Sequence, residues 1–188
     1  ASNTLVFSNY SRGIKTLFGD IVLCSDSGTK VSHVYKSMSE KEKEKIKLLG
    51  IRKVFSEHTY RNRLENIVTN ISNNFNNSSR KTVLVVSLVN NKSEAIKVIQ
   101  NFRKQIFESK KLRIITEERF DLNEKLEIEI IHQDDLEQHF FEEFGDNFEN
   151  ISYFHHDCEY GINYLTDIVN GSKFSNGLPI SKLYNISD

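Results

Sequence analysis

Short apolar, β-branched runs alternating with helical patterns predict an α/β fold built from mainly parallel, three-layer units. Three observations carry that expectation. The run KTVLVVSLV from Lys81 to Val89 is apolar enough to be buried on both faces of a sheet. Behind it, Ala95, Ile96, Ile99, Phe102 and Ile106 form an apolar stripe at helical spacing. Strand-like runs then recur at Leu112–Thr116, Leu126–His132 and Ile151–His155, separated by helical or polar stretches.

Taken in order, Thr4–Asn9 and Asp20–Ser25 read as short buried parallel strands bounded by Gly, Ser and Asn. Thr29–Met38 reads as a helix. Ser39 followed by Glu42 forms a capping box, because each side chain can satisfy a free backbone N–H at a helix start. Ile46, Leu49, Val54 and Phe55 continue that helix, with Gly50 weakening its middle. From Thr59 a further helix aligns Tyr60, Leu64, Ile67, Val68 and Ile71 on one face, which predicts packing against a neighbour.

Between Asn70 and Arg80 the sequence NISNNFNNSSR is polar, and its Asn and Ser side chains compete with a helix for backbone hydrogen bonds. It reads as a boundary, giving a domain over 1–75, a linker at 76–80 and a second domain over 81–188. A low-complexity insertion is the alternative. In the second domain Ser93 is expected to open the helix after the first strand. Asp134–Phe144 reads as a helix with Asp134, Asp135 and Glu137 near its positive end. Tyr160–Asn170 reads as a helix stopped by Gly171, and Ile180–Ile186 as a last short strand.

Twenty-five basic against twenty-six acidic side chains leave a formal charge of -1. No global field recruits nucleic acid or an anionic membrane, so a phosphate has to be held locally. Cys24 and Cys158 have neither C-x-x-C nor His-spaced context, which fits a reducing cytoplasm rather than a zinc or disulfide framework. No apolar run reaches the roughly 20 residues that span a bilayer, and the amino end has no basic segment followed by an apolar core. Peripheral membrane contact stays compatible with this composition.

Several polar residues fall where chemistry is expected. Asn90 and Asn91 follow the first strand of the second domain, at the sheet edge where α/β folds place ligands, and can meet a nucleobase or ribose; a turn-forming role is the alternative. Glu117 and Glu118 follow the next strand and can receive a base or ribose hydroxyl, or serve as exposed loop acids. His155, His156 and Asp157, followed by Cys158 and Glu159, are the densest group of ligand-type side chains. Adjacent residues on a strand point to opposite faces, so the two histidines do not easily share a metal there; a loop at the strand's carboxyl end is the preferred reading, and no metal site is assigned. Gln133, Asp134 and Asp135 read as helix capping. The chain has no G-x-S-x-G, P-loop or G-x-G-x-x-G.

Residues 1 to about 75 carry SNYS-x-G at Ser8–Gly13, LFGD at Leu17–Asp20 and EHTY-x-x-R at Glu57–Arg63. This resembles the closing part of a GT-B glycosyltransferase domain of the CgeB-like type. The resemblance implies that the chain begins inside such a domain, after its donor-binding glutamate segment, and that Ser8, Asn9 and Gly13 line the donor cleft of a complete enzyme. His58, Tyr60 and Arg61 fall on the family's end-helix signature and read as structural.

Residues from about 81 to 174 are similar to the opening of inverting GT-A glycosyltransferases, on the Thr82–Asn90 strand, its following helix, the Leu112 strand, and Gly161, Asn163, Gly171 and Phe174 in GINYLTDIVNGSKF. This resemblance implies Rossmann-like units, a nucleotide-diphosphate sugar donor, and donor contacts from Asn90, Asn91, Glu117, Asp157 and Asn163. The family's metal-holding Asp-x-Asp does not follow in SNGLPISKLYNISD, so the chain itself shows no cofactor motif, and a divalent Mn or Mg belongs to an intact parent. The expectation is a fragment of a cytoplasmic or membrane-peripheral glycosyltransferase, inactive alone, whose parent moves a sugar onto a cell-surface polymer or glycan. A noncatalytic α/β binding or scaffolding module, or one continuous α/β domain, are the alternatives.

Overall fold

The computed structural model describes residues 2–71, 82–120, 122, 127–136 and 148–181. The chain divides into two compact units, Ala1–Phe75 and Asn76–Asp188. The predicted linker at 76–80, most of the predicted Asp134–Phe144 helix and the predicted Ile180–Ile186 strand lie outside the described residues.

In the first unit, strands β1 (Phe7–Ser8) and β2 (Leu23–Cys24) pair in parallel, Phe7 opposite Leu23 and Ser8 opposite Cys24, with helix α1 (Arg12–Phe18) between them. Helix α2 (Gly28–Ser37) starts at Ser27, whose hydroxyl accepts the Lys30 N–H at 3.3 Å. Helix α3 (Glu40–Glu57) starts at the capping box read from the sequence: Ser39 Oγ accepts the Glu42 N–H at 3.2 Å and Glu42 accepts the Ser39 N–H at 2.8 Å. It runs through Gly50 unbroken. In helix α4 (Tyr60–Ile71), a similar exchange between Thr59 and Asn62 closes the first turn, and Arg61 pairs with Glu65 at 2.8 Å.

Two expectations for this unit are corrected. The strands are two residues long and only partly covered, and no described residue of the unit is buried. So short a sheet offers too little area to bury side chains on either face. The stripe on α4 is real but uncovered: Tyr60 is 87% exposed and Ile71 80%, with Leu64, Ile67 and Val68 also outward. Amphipathic spacing names a helix face; it does not supply the surface that face packs against.

Among its described residues the second unit carries four parallel strands: β3 (Val83–Val89), β4 (Lys110–Thr116), β5 (Ile128–His132) and β6 (Asn150–Tyr153), in the spatial order β5-β4-β3-β6. Val83–Val89 aligns with Lys110–Thr116, Leu112–Thr116 with Ile128–His132, and Val83–Val86 with Asn150–Tyr153. This is the mainly parallel, Rossmann-like α/β arrangement the sequence predicts. This sheet starts in a central strand, steps outward twice, and then returns to the other side of β3.

Period-two alternation sorts the strands onto two faces. Val83, Val85, Val89, Leu112 and Ile114 meet Ala95, Val98, Ile99 and Phe102 of helix α5 (Lys92–Lys104) and Leu165 and Val169 of helix α6 (Tyr164–Ser172) in one core. Leu84, Ile115 and Ile131 are buried on the opposite face, but Leu88, Ile151 and Tyr153 on that face are exposed, so the expected burial on both faces holds only in part. Ile96 and Ile106, placed on the helical stripe by the sequence, are exposed, and Val98 takes the inward position instead. Burying one such side chain contributes about 1.5–3 kcal/mol.

The ends of α5 and α6 also differ from expectation. Asn91, not Ser93, caps α5: its Oδ1 accepts the Glu94 N–H at 3.0 Å. Helix α6 begins at Tyr164 rather than Tyr160, because the preceding residues are committed to the core. Tyr160 stacks on Phe154 at 4.0 Å and 3°, and the Gly161 carbonyl accepts Gln105 Nε2 at 3.0 Å. Gly171 does not stop the helix, which runs to Ser172.

Candidate functional site

The strand order of the second unit has a reversal between β3 and β6. Open parallel sheets bind ligands at such a reversal, in the crevice beyond the carboxyl ends of the two strands. The residues that leave those ends are Asn90 and Asn91 after β3, and Phe154–Asp157 after β6.

On the β3 side, the turn into α5 is fully engaged. Glu94 accepts the Asn90 backbone N–H at 2.8 Å and Asn91 Nδ2 at 3.0 Å, while Asn91 Oδ1 caps the helix. The hydrogen bond from Asn90 is the main reason the Glu94 carboxyl is held below its ordinary range, and the imidazole of His156 adds to it. Asn91 thus does the turn-forming work that the sequence left as an alternative.

On the β6 side, the loop is pinned from beneath by a buried amide. Asn101 of α5 donates to the Cys158 carbonyl at 3.0 Å and accepts the Tyr160 N–H at 3.4 Å. Tyr160 Oη accepts the His155 N–H at 2.8 Å, and burial pushes the phenol pKa up. Because the strand ends at Tyr153, the alternation that would send His155 and His156 to opposite faces no longer applies. Their rings stack, centroids 4.4 Å apart at 25°.

The two sides meet through side chains. His156 Nδ1 lies 3.7 Å from Glu94 Oε2 and His156 Nε2 lies 3.2 Å from Asp157 Oδ2. Lys97 Nζ sits 3.7 Å from Asp157 Oδ1. Two carboxylates, two imidazoles and one ammonium therefore share the edge at the reversal. Such a set can bind a cation or the hydroxyls of a polar ligand; it offers a phosphate little, because Glu94 already occupies the first turn of α5.

Of the residues read from the sequence, Asn90, Asn91 and Asp157 come together here. Glu117 follows β4 with its side chain exposed; its carbonyl bonds His132 Nε2 at 2.8 Å, and Thr116 Oγ1 bonds the Glu118 carbonyl at 3.0 Å. Asn163 sits before α6 without a side-chain capping bond. Gln133–Asp135 form a 3-10 turn whose cap is His132, Nδ1 accepting the Asp134 N–H at 3.3 Å. Ser8, Asn9 and Gly13 belong to the first unit, Ser8 and Asn9 at the carboxyl end of β1, where Tyr10 N–H donates to Asp26 Oδ1 at 3.0 Å, and Gly13 in the first turn of α1. Glu94, Lys97 and Asn101 were not read from the sequence. The Asn91-x-x-Glu94 spacing was a signal for Glu94; Lys97 and Asn101 are placed only by contacts distant in sequence.

The fold and this edge define a class, a parallel Rossmann-like α/β domain with a polar group of side chains at its topological reversal. Compared with family models, curated proteins and solved structures, the chain finds no match. No helix among the described residues is long and apolar enough to cross a membrane.

Proposed function

We propose that the second unit is the nucleotide-sugar-binding part of a glycosyltransferase, taking a nucleoside-diphosphate sugar at the carboxyl edge of β3 and β6. The observation that carries this reading is the reversal between those strands, with Asn90 and Asn91 on one side and Asp157 on the other. Asn90 and Glu117 meet the base and ribose, and Asp157 and Asn163 the sugar. The reaction would move the sugar from the nucleoside diphosphate to a hydroxyl of a cell-surface polymer or glycan; a divalent Mn or Mg would offset the charge on the leaving diphosphate, and no described residue is assigned to hold it. Ser8, Asn9 and Gly13 hold a second donor cleft of GT-B type in the same reading.

The competing reading is a noncatalytic α/β binding or scaffolding module. Glu94 favours it, since its carboxylate fills the helix start that a diphosphate otherwise uses. Calorimetric titration of the whole chain with uridine, guanosine and thymidine diphosphates, with and without Mn2+, separates the two. Saturable binding weakened by Asn90→Ala supports the donor site. No heat at millimolar nucleotide contradicts it and leaves the scaffolding reading.

A further inference from the structure

We propose that His155, His156 and Asp157 form a site for a late first-row divalent cation of the Zn2+ type, with Glu94 as the carboxylate that orients His156. Each of the three offers one ligand atom, and these atoms lie within 4.8 Å of one another. In a tetrahedral site with bonds of about 2.1 Å, neighbouring donors sit about 3.4 Å apart. His156 Nε2 and Asp157 Oδ2, at 3.2 Å, already have that spacing. The widest pair has about 1.4 Å to close, the difference between 4.8 and 3.4 Å, which side-chain rotation in a loop can supply.

Which nitrogen of an imidazole can ligate is set by what the other one faces. His156 Nδ1 is buried, makes no hydrogen bond and faces Glu94 Oε2 at 3.7 Å. A proton on Nδ1 directed at that carboxylate leaves the Nε2 lone pair free, on the side where Asp157 waits. Glu94 is in turn fixed by Asn90 and Asn91, so the carboxylate–histidine pair is held from the helix start. Lys97 engages Asp157 Oδ1 and leaves Oδ2 for the cation. Ligation by His155 through Nδ1 would give up one hydrogen bond, from the Asp157 N–H at 3.2 Å; ligation through Nε2 would keep it.

Two imidazoles and one carboxylate suit Zn2+, Co2+ or Ni2+ better than Mg2+ or Ca2+, which take all-oxygen sets. The loop is also prepared for the task. Asn101 holds its far end at two points, and the Phe154–Tyr160 stack anchors its root, so little ordering remains to oppose binding. The site shares Asp157 with the proposed donor site, but the cation is held without nucleotide, so the two readings fail separately.

The test is titration of the metal-stripped whole chain with Zn2+ by calorimetry, and with Co2+ by visible absorption. One equivalent should bind at micromolar concentration or tighter, with Co2+ giving the intense bands of a low-symmetry four-coordinate site. His156→Ala and Asp157→Asn should each weaken binding by about tenfold or more, and Glu94→Gln by about tenfold through loss of the orienting carboxylate. His132→Ala, at a histidine–carboxylate pair away from this loop, should leave the affinity unchanged. Far-ultraviolet dichroism shows that each variant is folded; if His156→Ala is not, Asp157→Asn at the exposed ligand decides alone. Absence of saturable Zn2+ binding, or binding that Asp157→Asn leaves intact, overturns the proposal. In that case His156 only bridges Glu94 and Asp157 as an ion pair.

Discussion

The Glu94 carboxylate of α5 lies 3.7 Å from His156 Nδ1 in the loop after β6, and so links the two chain segments that leave the sheet at the reversal. The same carboxylate closes the turn after β3. Helix start and loop are therefore coupled, and changes at one are expected to be felt at the other.

Asn91→Ala should destabilise the second unit by about 1 kcal/mol, the usual cost of an N-cap, whereas Asn91→Ser keeps a neutral accepting oxygen at the cap and should cost less. Urea denaturation reads both. Equal losses for the two variants would mean that Asn91 is not a cap.

Gln105→Leu should cost about 2 kcal/mol. The side chain is 3% exposed; it accepts the Leu165 N–H at 3.2 Å and donates to the Gly161 carbonyl at 3.0 Å. An apolar replacement leaves both backbone groups without that partner. Faster amide exchange at Leu165 is the local signature; unchanged exchange would show that the amide does not hold the start of α6.

Phe154→Ala and Tyr60→Ala should separate core from surface. Phe154 is fully buried between Tyr160 and Tyr164, so its truncation should cost about 3–5 kcal/mol. Tyr60 is 87% exposed, and its loss should stay within about 0.5 kcal/mol. A large effect at Tyr60 would mean that the α4 stripe is covered in solution.

The capping box of α3 predicts a pH dependence. Hydrogen bonds from the Ser39 backbone and side chain hold the Glu42 carboxyl below its ordinary value of 4.5. A depressed pKa favours the native state above the unfolded value, and that contribution is lost as pH falls through the native pKa. Thermal unfolding followed in helical dichroism should therefore weaken on acidification below about pH 4.5, and Glu42→Gln should flatten that decline. An unchanged slope in Glu42→Gln would exclude the carboxylate as its source.

The sheet was legible because its signals are local. Val83–Val89 and Leu112–Thr116 are apolar over a strand's length, and Ser39-x-x-Glu42 declares a helix start within four residues. The misreadings share the opposite cause. Tyr160 looked helical by its neighbours, yet Phe154 and Asn101 claim it across the fold. Ser93 and Asn91 are both good caps, and the exchange with Glu94 chooses between them. At the site, Asn90, Asn91 and Asp157 followed from strand ends, but Lys97 and Asn101 enter through contacts to a loop more than fifty residues away. Helix α4 shows the limit of periodicity most plainly, since its apolar face was readable and its exposure was not.

The central claim is that the carboxyl edge at the β3–β6 reversal is the ligand-binding edge of this protein. Residue-resolved amide shifts of the whole chain during titration with a nucleoside-diphosphate sugar test it most directly. The account predicts saturable shifts at Asn90, Asn91, His155 and Asp157 that Asn90→Ala weakens. Saturable shifts confined to other parts of the chain, or none at millimolar ligand, would contradict it.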